Sequence, residues 1–237
     1  MTLQLPEETR HTVVIRSTPL AASEPAPAAP DEPACEPPAL VPGRREAIDL
    51  TAWFNAEQLK TVNHGAPCMF DFSGDMDADG MLAIGDAAFR VRPTGKNMVK
   101  IEAGHLVRGV DAFEPTEAPD AVAIPVGKPV KGVEFLFAGE CRCRLTGMEI
   151  GMIILRYADG AETVEPLVLG GNVDCSHFPF ATAVTRRTLT YDPVSQFPIT
   201  VAAFAVAADA ARILQDVELR VFAADAAIAL IAMNTIG

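Results

Sequence analysis

Aromatic side chains are scarce in this chain of 237 residues: they make up 6%, with a single Trp (Trp53) and two Tyr (Tyr157 and Tyr191). Flat rings give large contact area at small entropic cost, so the chain lacks the material for a broad stacking platform. Positive charge is also short. Lys and Arg number 19 against 31 Asp and Glu, a formal charge of −12. Binding nucleic acid needs a Lys/Arg face to neutralise phosphates, and an anionic membrane repels an acidic surface for the same reason. Neither is expected as a partner.

Cysteine is sparse and odd in number: Cys35, Cys68, Cys141, Cys143 and Cys175. That excludes a disulfide framework. No apolar run approaches the roughly 18 residues of a membrane helix. Residues 1–15 hold no basic cluster followed by an apolar stretch, so no signal peptide is expected. These absences point to a cytoplasmic protein, or to an exported one if the chain is a fragment. No G-x-S-x-G elbow, Walker loop or dinucleotide G-x-G-x-x-G occurs.

What is present is globular material, 49% apolar and 21% charged. The length suits one large β domain or two small ones. Residues 12–17 (TVVIRS) read as a lone strand. Residues 19–42 are rich in Pro, Ala, Glu and Asp and cannot bury enough apolar surface to offset their ordering entropy, so they read as a linker. The expected organisation is a largely disordered tail over 1–44 and one folded domain over 45–237.

Within 45–237, short apolar stretches recur between turn signals, at 81–84, 87–91, 121–126, 130–138, 149–157, 162–169, 182–190, 199–206, 216–222 and 226–233. Evenly spaced short strands are the signature of a sandwich or barrel. Alternation places Val133, Phe135 and Phe137 on one strand face and Glu134 on the other, which reads as the solvated one. Asp159-Gly160 between two strand patterns predicts a hairpin, because both residues accept positive φ. Two Ala-rich stretches are ambiguous. Residues 209–214 could form one helical turn, and 225–233 could be helical on propensity but pair better as a core strand with 216–222.

Residues 153–173 (IILRYADGAETVEPLVLGGNV) resemble a hairpin of the galactose-binding-like jelly-roll modules attached to bacterial glycoside hydrolases, including the NPCBM type. Residues 131–138 (KGVEFLFA) are similar to the strand before that hairpin, 48–55 (IDLTAWFN) to the opening segment, and 80–91 (GMLAIGDAAFRV) to the strand after a surface loop. Residues 217–220 and 229–234 are similar to the closing strands. The resemblance implies an all-β jelly-roll sandwich of two antiparallel sheets. It also implies a non-catalytic accessory role beside a glycoside hydrolase module, with carbohydrate as ligand. The candidate sugar-contacting residues are Trp53, Asn172, Asp174, His177 and Phe178. One departure stands out. Those modules commonly carry aromatics after the Gly-Asn step, where this chain has Asp174-Cys175-Ser176-His177-Phe178. The alternative reading is therefore a structural or assembly domain, such as a homo-oligomer contact, with no sugar ligand. A small hydrolase or lyase carried by the sandwich ranks third.

Three constellations could carry chemistry. Asp75-Met76-Asp77-Ala78-Asp79-Gly80, with Asp86 at the twelfth position, resembles a calcium loop, since Ca²⁺ takes six to eight oxygens and a Gly permits the sharp turn. Asp75, Asp77, Asp79 and Asp86 are thus candidate calcium ligands, or an acidic surface turn. His64, Cys68, Cys141, Cys143, Cys175 and His177 match zinc spacing poorly, and buried Cys serve equally as small hydrophobes. Glu134, Glu149, Glu162 and Glu165 would need to face one another across a cleft to cleave a glycoside. No catalytic residue is assigned.

Overall fold

Strands in this chain are drawn from Val, Ile, Leu and Phe, whose side chains fit a pleated and half-buried surface. The computed structural model describes residues 41–57, 61–63, 66–68, 75–103, 118–141, 147–173, 185–189, 199–223 and 226–237. All of them fall in the unit that runs from 35 to 237. The tail strand at 12–17 and most of the proline-rich stretch lie outside the described residues. Among the described residues there is no helix, and none long and apolar enough to cross a membrane.

The described strands follow in order. The first six are β1 (Arg45–Ala47), β2 (Ala56–Glu57), β3 (Thr61–Asn63), β4 (Ala66–Cys68), β5 (Met81–Ile84) and β6 (Ala87–Arg90). Then come β7 (Lys96–Glu102), β8 (Ala121–Lys128), β9 (Gly132–Cys141), β10 (Glu149–Tyr157) and β11 (Glu162–Val168). The last four are β12 (Thr185–Leu189), β13 (Ile199–Ala207), β14 (Leu214–Val221) and β15 (Ala226–Ile236).

Eleven of them build two antiparallel sheets, while β3–β4 and β5–β6 form separate two-stranded pairs. The larger runs β12-β13-β9-β15-β7-β2, with β1 also on β15, and the smaller runs β11-β10-β14-β8. From β7 onward the chain passes from sheet to sheet, apart from the hairpins β10–β11 and β12–β13. That alternation makes a jelly-roll sandwich. Its interior is filled from both sheets by Val133, Phe135 and Phe137 of β9, Ile153 and Leu155 of β10, Val217 and Leu219 of β14, and Ile228 and Leu230 of β15. The Phe135 and Phe137 rings stack with centroids 5.4 Å apart.

The larger sheet is covered on its other face as well. Leu82, Ile84 and Phe89 of the β5–β6 hairpin pack over Leu136, Ala138, Val201, Ala203, Ala229 and Ile231. This third layer explains β15. All eleven of its residues are buried, so its sequence has no period of two, and its alanines leave room for the hairpin above. A bulge falls between Leu230 and Ala232. It turns Ile231 and Ala232 both toward the hairpin side, while Leu230 and Met233 face the interior.

The same layer corrects the reading of Glu134. Its face of β9 is not solvated, and the residue is only 4% exposed. Arg45 of β1 clasps it with two hydrogen bonds, Nε to Oε2 at 2.8 Å and Nη2 to Oε1 at 3.2 Å. Asn234 Nδ2 donates to Glu134 Oε2 at 3.2 Å and to the Ala88 carbonyl at 3.1 Å. The hydrogen bonds to Glu134 push the Arg45 guanidinium above its usual range.

Two local turns fall where the sequence places them, the first with one difference in geometry. The turn after β10 falls at Asp159-Gly160, but only the Gly takes up the strained geometry. Gly160, at φ 84, donates to the Tyr157 carbonyl, while Tyr157 N donates to the Ala161 carbonyl. The loop is thus a tight turn followed by a left-handed Gly. Residues 209–212 form the expected single turn, closed by Arg212 N to the Asp209 carbonyl at 3.0 Å and capped by the Asp209 carboxylate on Ala211 N, before β14 begins at Leu214.

Candidate functional site

Beside the β5–β6 hairpin the structure opens a cleft of about 660 Å³. Its floor is apolar: Leu50, Val91, Ile231 and Ala232 line it and are all buried. The bulge in β15 is what brings the last two to this face.

One wall is the segment after β1. Ile48 N donates to the Met233 carbonyl at 2.9 Å, which fixes the segment to β15. Asn55 fixes its far end to β7, donating from Nδ2 to the Lys100 carbonyl and accepting from Lys100 N at Oδ1. Between these anchors the chain turns on Leu50, whose carbonyl accepts from Trp53 N and Phe54 N. Asp49 caps the turn through Oδ1, which accepts from Thr51 N at 2.9 Å. Hydrogen bonds from the Thr51 side chain and amide hold the Asp49 carboxyl below the usual aspartate range. The stabilisation from that contact is present at neutral pH and is lost as pH falls through the lowered value.

The other wall begins in the acidic turn. Asp77 Oδ1 accepts from Asp79 N and Met81 N, both at 2.9 Å. Gly80 N donates to the Asp77 carbonyl, and Gly80 takes φ 74, a left-handed value that suits glycine. The Gly80 carbonyl then accepts from Val91 N and carries the pairing beyond β6. Alternation along 87–92 buries Ala87, Phe89 and Val91 and exposes Arg90 and Arg92. Arg90, Arg92, Asp49, Asp79 and Phe54 therefore ring the cleft. Neither arginine forms an ion pair with the described residues, whereas Arg45 and Arg156 are both engaged.

Asp77→Ala should cost about 1–2 kcal/mol, because two amides lose a charged acceptor in a solvated turn. Asp77→Asn keeps the acceptor and should lose less than half as much. Urea denaturation of the two variants measures the difference, and equal losses would show that the turn does not depend on Oδ1.

The residues singled out in the sequence fall in several places. Trp53 is half-buried and packs against the sandwich interior beside the cleft wall. Asn172 is engaged within its own turn: Oδ1 accepts from Val168 N, and Nδ2 donates to the Pro166 carbonyl and Glu165. Asp174, His177 and Phe178 lie outside the described residues. Of the acidic set, Asp77 and Asp79 sit at the base of the β5–β6 hairpin. Asp86 sits at its tip, in the two-residue turn between Ile84 and Ala87. The length of β5, about 10 Å at the rise of a strand, separates them, and Asp86 lies instead near Arg45. The calcium-loop register therefore does not carry through to Asp86, because positions seven to ten form strand β5 and carry the chain away from the acidic turn. Among the described residues no three His, Cys, Asp or Glu side chains gather in a way that could hold a metal ion. Cys68 and Cys141 belong to β4 and β9, while His64, Cys143, Cys175 and His177 lie outside the described residues.

The four glutamates do not face a common space. Glu134 is bound to Arg45 under the hairpin. Glu162 joins Arg156, which also holds Asp216 and Glu218 on the outer face of the smaller sheet. Glu165 accepts from Asn172, and Glu149 is exposed at the start of β10.

The sequence reading missed the cleft. Its walls come from 47–54, 79–80, 90–93 and 231–232, four segments that no linear motif connects. The one local signal was Arg90 and Arg92 alternating with Phe89 and Val91. In comparisons with known proteins the chain matches no protein-family model and no curated protein.

Proposed function

We propose that this chain is a non-catalytic accessory module that binds carbohydrate, in the manner of the galactose-binding-like jelly rolls attached to glycoside hydrolases. The observation that carries the reading is the strand order, in which β7-β15-β9-β13 faces β8-β14-β10-β11, with the β10–β11 hairpin formed by the residues that resemble those modules. The disposition of the glutamates supports a binding role over a hydrolytic one. Three of the four are engaged by Arg45, Arg156 or Asn172 rather than opposed across a cleft.

A module of this kind leaves recognition to loops and clefts on a rigid scaffold. The cleft beside the β5–β6 hairpin, with an apolar floor and a few polar groups at its rim, has the composition of a small-molecule site. A glycan array probed with the chain should give binding to a defined saccharide class, with no release of reducing sugar on prolonged incubation. Retention on no glycan would overturn the carbohydrate reading. Turnover that co-purifies with the chain would overturn the non-catalytic one.

A further inference from the structure

We infer that the cleft beside the β5–β6 hairpin takes a sugar bearing a carboxylate, a uronic acid residue, with Arg90 and Arg92 holding the acid group. The inference rests on the carbohydrate-binding reading above and names the ligand class of that site.

Four observations lead there. First, Arg90 and Arg92 are two residues apart on one exposed face, with Phe89 and Val91 buried on the other. Strand geometry puts their Cα atoms about 7 Å apart, so both guanidinium groups can reach one anion. Second, both are free of ion pairs with the described residues, although the chain carries an excess of acid. A guanidinium fork matches the planar, two-oxygen geometry of a carboxylate. Third, Asp49 and Asp79 stand on the same rim. A carboxylate accepts from sugar hydroxyls, and the hydrogen bond from Thr51 N to Asp49 Oδ1 fixes that carboxylate in place on the rim. Fourth, the half-buried Phe54 and the floor of Leu50, Val91 and Ile231 offer apolar contact to the ring C–H groups.

The charge balance narrows the class further. Two arginines and two aspartates leave the rim locally neutral, and the whole chain carries −12. A densely sulfated polymer would be repelled beyond the few contacts the arginines supply. A sugar with one carboxylate per ring places its charge on the arginines and its hydroxyls on the acids.

Isothermal titration with the full chain tests this. The probes are a galacturonate tetrasaccharide, its carboxyl-reduced neutral counterpart, and a sulfated galactan oligosaccharide. The galacturonate should bind, and the reduced probe should bind at least about tenfold more weakly, the loss expected for a charge-assisted contact. Arg90→Ala and Arg92→Ala should each weaken galacturonate about tenfold while leaving the melting temperature unchanged. Lys96→Ala removes the same charge outside the cleft and should change neither. Preference for the neutral or the sulfated probe, or wild-type affinity in both arginine variants, overturns the uronate assignment and leaves the module reading standing. Binding to none of the three probes overturns the assignment. A glycan array then separates the two failures, since a blank array also removes the carbohydrate reading and a neutral hit retains it.

Discussion

Gly151→Ala should destabilise the domain by about 3 kcal/mol or more, a large loss for a single added methyl group. Gly151 lies in β10 opposite Val221 of β14, at one end of the ladder between the two central strands of the smaller sheet. A Cβ built there would stand 2.2 Å from the Arg220 carbonyl oxygen and 3.1 Å from its carbon. Those atoms are backbone, held in the ladder between two central strands, and cannot rotate away. Relief requires β10 and β14 to part, which breaks pairing and opens the interior around Ile153 and Leu219. Gly160→Ala is the useful comparison. Its Cβ would meet nothing within 4 Å, but its φ is +84. That substitution should cost only about 1 kcal/mol, from backbone strain alone. Urea denaturation of both variants measures the gap. A Gly151→Ala loss as small as that of Gly160→Ala would mean that the two strands are not packed as described.

The second large effect concerns the pair under the hairpin. Arg45→Ala leaves the Glu134 carboxylate in a site where its side chain is 5% exposed, with Asn234 as its remaining donor. Removing one partner of a buried pair costs about 3–5 kcal/mol. Arg45 itself is 24% exposed, so water reaches the vacated side and the lower end, about 3 kcal/mol, is expected. The double change Arg45→Met with Glu134→Leu should recover most of this and lie within about 1 kcal/mol of the parent. Asn234 would then keep only the Ala88 carbonyl as acceptor. A double variant no better than Arg45→Ala would mean that the carboxylate is needed for more than neutrality.

Glu134 also marks where the sequence ceased to be informative. The pattern Val133-Glu134-Phe135-Leu136-Phe137 separates two faces correctly, but it cannot say what covers the second. The cover is β5–β6, about 50 residues earlier in the chain, and its own pattern is that of an ordinary hairpin. Strands with one buried face or a clear alternation were legible: β10 runs over 149–157 as the pattern predicts. β7 was not read as a strand at all. Its burial, which includes Asn97 and Glu102, falls on both faces, so polar residues and missing alternation hid it. In β15 the same double burial produced an Ala-rich run with helical propensity, which pairing overrides; its partners are β9 and β7, not the expected stretch 216–222, which lies across the interior in the other sheet. The cleft was invisible for a different reason, because it depends on a bulge and on four segments brought together by the fold.

The place of β15 has a consequence for how the domain assembles. It stands between β7 and β9 yet is made after both. During synthesis those two earlier strands present open edges to one another's solvent until about 90 further residues have left the ribosome, and open edges invite pairing with other nascent chains. The closing pairs, such as Arg45 with Ile236, join points 191 positions apart. Folding should therefore be slow, as in other chains dominated by distant partners, and yield on expression should depend more on temperature and chaperone supply than on the final stability of the sandwich.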